Sequence, residues 1–193
     1  MSKIIKNHFQ NIINTLNKTK IDIKIIIKIS EKLISSIKSK KKIFVYGNGG
    51  SFADSSHFVG ELTATYNKIR KPLPFYLLGS NMASVSAWAN DFEFNDYVSR
   101  ELSGYSIRND VLIILSTSGG NIKQNQSLNL IKLAKNAKSK GVFIISLLGK
   151  GGGEVSKISD LSIIVDSNTT STIQEMHKII LHSICEYIDS KKI

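Results

Sequence analysis

A chain of 193 residues, 41% of them apolar and only two of them proline, can bury a sizeable core and is not a disordered polymer. Its net charge of +11 is almost all lysine scattered among isoleucine and asparagine, with Arg70, Arg100 and Arg108 as the only arginines. Without guanidinium forks to read guanine or aromatic platforms for single strands, no nucleic-acid partner is expected, and the basic surface suits the steering of an anionic metabolite.

The first forty residues carry apolar positions at helical spacing: Ile4, Ile5, Phe9, Ile12, Ile13 and Leu16, then Ile25, Ile26, Ile29, Leu33 and Ile37. This predicts two helices separated near Thr19 to Asp22. The opening "MSKIIKNHFQNIINTL" mixes charge and polarity too often for a signal-peptide core, and no run of about 18 apolar residues follows. An unprocessed, cytoplasmic chain with no membrane partner is the expectation. Cys185 stands alone, so no internal disulfide can form.

From Lys42 onward, short apolar runs alternate with helical segments. The runs are Ile43–Tyr46, Pro74–Gly79, Val111–Ser116, Val142–Leu148 and Leu161–Val165. Uninterrupted apolar strands that each lead through a Gly or Ser loop into a helix predict an α/β three-layer sandwich. Its sheet would be five-stranded and mostly parallel. No linker, repeat or low-complexity tract divides the chain, so residues 1–193 read as one domain, with N-terminal helices over 1–40 and the α/β core over 42–193.

Such sheets bind ligands at the carboxyl ends of their strands. Three loops rich in glycine and hydroxyls fall there: "GNGGS" after the first strand, "STSGGN" after the third and "GKGGG" after the fourth. In the first, Gly47, Gly49 and Gly50 allow close backbone approach to an anion, and Ser51 occupies a helix N-cap position with Asp54 in reach to close back onto it. Ser116, Thr117 and Ser118 form a neutral cradle of hydroxyls suited to a phosphate ester that must leave again.

His57 and Glu61 share a helix face at i, i+4, the spacing of two ligands on one metal, just beyond the first loop. Taken alone, such a pair is more often a surface contact. Its apolar neighbours Phe58, Val59 and Leu62 place Glu61 for base chemistry. The last helix, "TIQEMHKIILHSICEYI", opens with Thr172 and Glu175 in capping-box spacing and carries Gln174, His177 and His182 among apolar residues. Histidines in such a helix are often core or interface packing.

Taken together, "GNGGSFADSSHFVGELTATY", "ANDFEFND", "STSG" and "IQEMHKIILH" resemble the phosphoheptose isomerases of the sugar isomerase (SIS) fold, from about Lys42 to the C-terminus. The resemblance implies a homotetramer with active sites between subunits. It also implies a ketose–aldose isomerisation of sedoheptulose 7-phosphate to D-glycero-D-manno-heptose 7-phosphate, an early step toward surface polysaccharide. It assigns one zinc ion per subunit to His57, Glu61, Gln174 and His182, the base role to Glu61 and the acid role to His182. Substrate contacts fall to Asn48, Gly49, Gly50, Ser51, Asp91, Ser116, Thr117, Ser118 and Gln174.

Three departures from the family pattern bear on the substrate. The segment after "STSG" is about six residues longer than the usual "STSGNSxN", and alignment from the following helix sets "QSLN" on "NSxN", which makes Ser127 the displaced phosphate serine. Thr65 replaces an arginine common after "ELTG", and Ser171 stands where some members have an aspartate. The alternatives are an isomerase of another ketose phosphate, or a non-catalytic SIS regulator resembling the protein that binds the replication initiator DnaA. Retention of all four ligand positions speaks against the regulator.

Overall fold

The computed structural model describes residues 2–19, 23–191 and 193. Two helices, α1 (Ser2–Lys18) and α2 (Ile23–Lys38), precede β1 (Ile43–Gly47) and α3 (Gly50–Thr63). Thr19 follows α1 directly, and the remainder of the expected break, residues 20–22, lies outside the described residues. Then come β2 (Phe75–Leu77), α4 (Met82–Asp91), α5 (Phe94–Tyr105), β3 (Val111–Ser116) and α6 (Leu128–Ser139). The chain ends with β4 (Phe143–Leu148), α7 (Gly153–Ile158), β5 (Leu161–Ile164) and α8 (Thr170–Ser190).

The five strands form one sheet in the order β2-β1-β3-β4-β5, and every described pairing is parallel. Alternation along each strand divides its apolar residues between two cores. Ile43, Val45, Val111, Ile113, Ile145 and Leu147 face α2, α3 and α8, packing with Leu33, Phe58, Leu62 and Ile184. Phe44, Tyr46, Leu112, Ile114 and Ile144 face the other way, against Val98 and Leu102 of α5 and Leu130, Leu133 and Ala134 of α6. Burial on both faces explains why these strands read as unbroken apolar runs.

The order also fixes where a ligand would sit. After β1 the chain crosses to β2 on one side, and β3 then enters on the other, so the strand order reverses between β1 and β3. That switch point opens a crevice beyond the carboxyl ends of the strands. Gly47, the last residue of β1, is in register with Leu115 of β3. The loops "GNGGS" and "STSGGN" are therefore neighbours across it.

Candidate active site

The first loop turns without the expected hydroxyl cap. Gly49, at φ 55°, is the N-cap of α3 and makes no side-chain cap bond. Ser51 lies inside the first turn, almost fully buried, and its N–H donates to Asn48 O at 3.0 Å. The physical reason is space. A Cβ on Gly47 would sit 2.7 Å from Ser51 O and 2.8 Å from Leu115 O, so the backbone closes tightly enough to enter the helix unaided. Asp54 does not close back onto Ser51 either; its buried carboxylate faces Lys178 Nζ of α8 at 3.4 Å.

Asn48 is held by a reciprocal amide pair. Asn48 Nδ2 donates to Asn129 Oδ1 at 3.0 Å, and Asn129 Nδ2 returns a bond to Asn48 Oδ1 at 2.8 Å. Buried Asn129, in the first turn of α6, also reaches the Tyr46 hydroxyl at 3.3 Å. Sequence reasoning did not single out Asn129, although it is the final residue of "QSLN". The longer segment before it is a closed excursion: Asn121 and Gln126 exchange backbone hydrogen bonds of 2.9 Å each. The chain thus returns to where it left, and Ser127 O lies only 3.3 Å from where a Cβ of Gly120 would stand. Ser127 itself is left-handed, at φ 51°, and makes no side-chain cap bond to α6.

In the second loop the hydroxyls are partly engaged by their own turn. Ser116 Oγ accepts from Gly119 N at 3.0 Å and Ser118 N at 3.4 Å, and Ser118 Oγ accepts from Gly120 N at 3.3 Å. Each hydroxyl keeps its proton to donate. Thr117 is half-buried between them. The third loop is not a cradle. Glu154 N and Val155 N donate to Gly120 O and Gly119 O at 3.1 and 2.9 Å, so its glycines clasp the second loop from behind. At Gly119 a Cβ would fall 1.9 Å from Gly152 O, which is why both sides of the clasp need glycine.

Beyond the loops, α3 and α8 bring the acid–base candidates together. His57 Nε2 lies 3.1 Å from His182 Nε2 and 3.3 Å from Glu61 Oε1, with the two imidazole planes at 64°. His57 is open to solvent, whereas Glu61 and His182 are half-buried. Two imidazole nitrogens and a carboxylate oxygen at such spacing can share a proton; among the described residues no three His, Cys, Asp or Glu side chains are grouped so as to hold a metal ion.

Gln174 is not in this cluster. The last helix begins at Thr170 with Thr169 as N-cap, so Thr172 is a buried residue inside it, not its cap, and Glu175 pairs instead with His8 of α1 at 3.1 Å. Hydroxyl-first reading favoured Thr172, but its side chain is packed against the core. The helix is regular between Gln174 and His182, which leaves them ~12 Å apart along its axis. The Gln174 amide lies against the first loop, with Nε2 2.4 Å from where a Gly50 Cβ would be. Asp91 ends the exposed α4, accepting from Asn90 Nδ2 at 2.8 Å. It is ~13 Å along that helix from Met82, which with Val85, Phe52 and Tyr97 lines a 240 Å³ pocket beside Asn48.

His177 is fully buried, with Nε2 against Leu148 O at 3.2 Å and Nδ1 without a hydrogen-bond partner. Burial pushes its pKa down to about 4, against smaller opposing effects from Leu148 and Asp54. It is a neutral core residue that ties α8 to the end of β4. A second tie was not legible in the sequence. Arg70 donates to Glu61 O at 3.0 Å, Leu62 O at 2.8 Å and Asp189 Oδ1 at 3.0 Å, so it satisfies terminal carbonyls of α3 while fastening that helix to α8.

The sequence profile of the SIS domain matches residues 7–149. Together with the parallel sheet and its hydroxyl loops at the switch point, this defines a SIS-domain protein. A probable phosphoheptose isomerase of Thermoplasma acidophilum is 42% identical over 171 residues, spanning 89% of this chain and 91% of that one. A phosphoheptose isomerase of Campylobacter jejuni is 40% identical, with 85% of each chain covered. The solved phosphoheptose isomerase of Francisella tularensis superposes with a TM-score of 0.90 at 26% identity, covering 98% of both chains. The chain belongs to the phosphoheptose isomerase family, and it is an aldose–ketose isomerase of sugar phosphates.

Proposed function

We propose that the enzyme converts sedoheptulose 7-phosphate to D-glycero-D-manno-heptose 7-phosphate through an enediol, with Glu61 as base and His182 as acid. The observation that carries this reading is the meeting of Glu61, His57 and His182 across α3 and α8. Glu61 takes a proton from C1 of the ketose while His182 gives one to the C2 oxygen, forming the enediol. Glu61 then returns its proton to C2 as His182 takes the proton from the C1 oxygen, leaving the aldehyde. The phosphate, held by Ser51, Ser116, Thr117, Ser118 and Ser127 with Asn48 and the Gly49–Gly50 backbone, contributes binding energy that positions the reacting end.

Zinc fits the donor set. A tetrahedral ion with bonds of about 2.0 Å separates its ligand atoms by about 3.3 Å, and His57 Nε2 stands 3.1 and 3.3 Å from the other two donors. Among the described residues no three His, Cys, Asp or Glu side chains form a ready-made cage, so these pair distances carry the fit. His57, Glu61 and His182 would hold the ion with Gln174, and when bound it would polarise the carbonyl oxygen.

Gln174 would then come from another subunit, since the regular helix keeps it ~12 Å from His182. The phosphate loop is similarly remote, with Gly50 and Glu61 ~16 Å apart along α3. An extended heptose phosphate is about 10 Å from phosphorus to C1, taking ~1.2 Å per bond from the reach of an extended chain. A site assembled from neighbouring chains of a homotetramer removes both difficulties. The exposed apolar stripe of α1 (Ile4, Ile5, Phe9, Ile13 and Leu16) supports assembly. The proposed setting is the cytoplasm, supplying heptose for surface polysaccharide. Among the described residues, no helix is long and apolar enough to cross a membrane.

The test is an assay of the purified protein on a panel of ketose phosphates. Fastest turnover of sedoheptulose 7-phosphate is expected. A clear preference for a shorter ketose phosphate would overturn the substrate assignment, and turnover of none would favour a regulator.

A further inference from the structure

Between α3 and β2 the chain runs as a strap, residues 66–70, laid against the last turns of α8. Two carboxylates of α8 hold it. Asp189 accepts from Asn67 N at 2.9 Å, Lys68 N at 3.2 Å and Arg70 Nε at 3.0 Å. Glu186 accepts from the Tyr66 hydroxyl at 3.2 Å and from Asn67 Nδ2 at 2.9 Å. Held at its hydroxyl by Glu186, the Tyr66 ring stands beside the imidazole of His182, centroids 6.1 Å apart and planes 27° from parallel. That falls within the range of an offset stack. The His57 ring also approaches His182, at 5.3 Å in an edge-on arrangement.

From this geometry we infer that Tyr66 is a positioning residue: its ring, anchored through Glu186, fixes the plane of the His182 imidazole for proton transfer. This rests on the assignment of His182 as the acid. Besides the polar contact with His57 and the ion that His182 would help to hold, a neighbouring surface restricts the χ2 rotation of this half-buried imidazole. His57 touches one edge, and Tyr66 supplies the flat surface that selects one plane. Burial, and then the Glu186 carboxylate, raise the Tyr66 phenol above its ordinary value of 10, so the anchoring O–H stays protonated. Glu186 lies one turn beyond His182 on the same helix, so anchor and imidazole move together.

The role predicts a particular pattern. The phosphate is held elsewhere, so loss of the ring should act on kcat and leave KM nearly unchanged. Misplacing a proton-transfer group by about 1 Å costs on the order of 100-fold. Tyr66→Leu should therefore lower kcat by about 10- to 100-fold with KM within about threefold. Tyr66→Phe keeps the stacking face but gives up the hydrogen bond to Glu186, so it should recover the rate only in part. Histidine labelled with ¹³C gives a second readout independent of turnover. The chain has only four histidines, and His182→Gln identifies the His182 signal. In the wild type this signal should carry the upfield ring-current shift of a stacked tyrosine, kept but broadened in Tyr66→Phe and lost in Tyr66→Leu.

Equal kcat in wild type and Tyr66→Leu, equal loss in the Phe and Leu variants, or an unmoved His182 signal would each overturn the inference. Should Tyr66→Leu fold poorly, Glu186→Ala removes the anchor while leaving the ring. It should broaden the His182 signal and lower kcat by a smaller factor, and an unchanged signal there would equally refute the role. An inactive wild type would count against the proposed reaction, while the resonance measurements would still decide whether Tyr66 orders His182.

Discussion

His177 offers a stability measurement whose sign and size follow from its surroundings. The ring is 0% exposed, its Nε2 faces the Leu148 carbonyl, and its Nδ1 has no partner to receive an added proton's hydrogen bond. Protonation therefore strands a charge in the core, and the pKa falls to about 4 from an ordinary 6.5. In the unfolded chain the same imidazole takes up its proton near pH 6.5. Between the two values the unfolded state binds more protons, so this contribution is complete above about pH 7 and is lost as pH falls toward 4. At pH 5 the loss amounts to about one and a half decades of equilibrium constant, or about 2 kcal/mol. His177→Gln retains an N–H for Leu148 O but cannot titrate. Urea denaturation of wild type and variant at pH 8 and pH 5, at fixed protein concentration, isolates the effect, because other titrations cancel in the difference. The wild type should lose about 2 kcal/mol more than the variant. Equal losses would show that the imidazole is hydrated or already charged in the fold.

Glu61→Gln should keep the side chain's shape and a ligand oxygen while lowering turnover by about two to four orders of magnitude. Zinc content and binding of sedoheptulose 7-phosphate, measured on the same sample, should stay near wild type, and normal turnover at normal zinc would remove Glu61 as base. Protein purified without chelator should carry close to one zinc per chain, and His57→Ala should lose it. Full activity after chelation, with no metal detected, would remove zinc from the mechanism. Asp189→Ala should destabilise the fold by about 3–5 kcal/mol, because Arg70 is left charged and buried without its partner. Burial alone would raise the Asp189 carboxyl, but the bonds from Arg70, Asn67 and Lys68 outweigh it and hold the group below its ordinary range. Its stabilisation is thus present above about pH 4 and lost on further acidification. Co-assembly of inactive Glu61→Gln and His182→Ala chains tests whether base and acid come from different subunits. No recovery is expected, since this structure brings the two together within one chain through His57.

The strands were legible as apolar runs, most clearly the three central ones that are buried on both faces: Val111–Ser116 was read to the residue, and the other four to within two residues at either end. Helix starts were not. Ser51 and Thr172 have the side chains that usually cap a helix, but Gly49 and Thr169 occupy the caps, and both hydroxyl residues are buried in the first turns. The His57–Glu61 pair could be read from i, i+4 spacing, which is local. The approach of His182 depends on how α3 packs on α8, and that packing is set by contacts some 120 residues apart in sequence, such as Arg70 with Asp189. Asn129 and Tyr66 escaped notice for the same reason, since each acts on a residue brought close only by the fold. The glycines of "GKGGG", placed by the sequence at the ligand-binding end of the sheet, serve close backbone packing against the second loop, a use of glycine that the sequence does not distinguish from anion binding.

The enediol route itself is tested by isomerising sedoheptulose 7-phosphate in D₂O and examining the aldose by proton NMR. Glu61 is partly open to solvent, its side chain 26% exposed, so a proton held there exchanges during turnover. Proton transfer through Glu61 should give D-glycero-D-manno-heptose 7-phosphate that carries deuterium at C2. Aldose that forms with only protium at C2, even under conditions where turnover is slow enough for an open carboxyl to exchange, would contradict the assignment of Glu61 as the proton carrier.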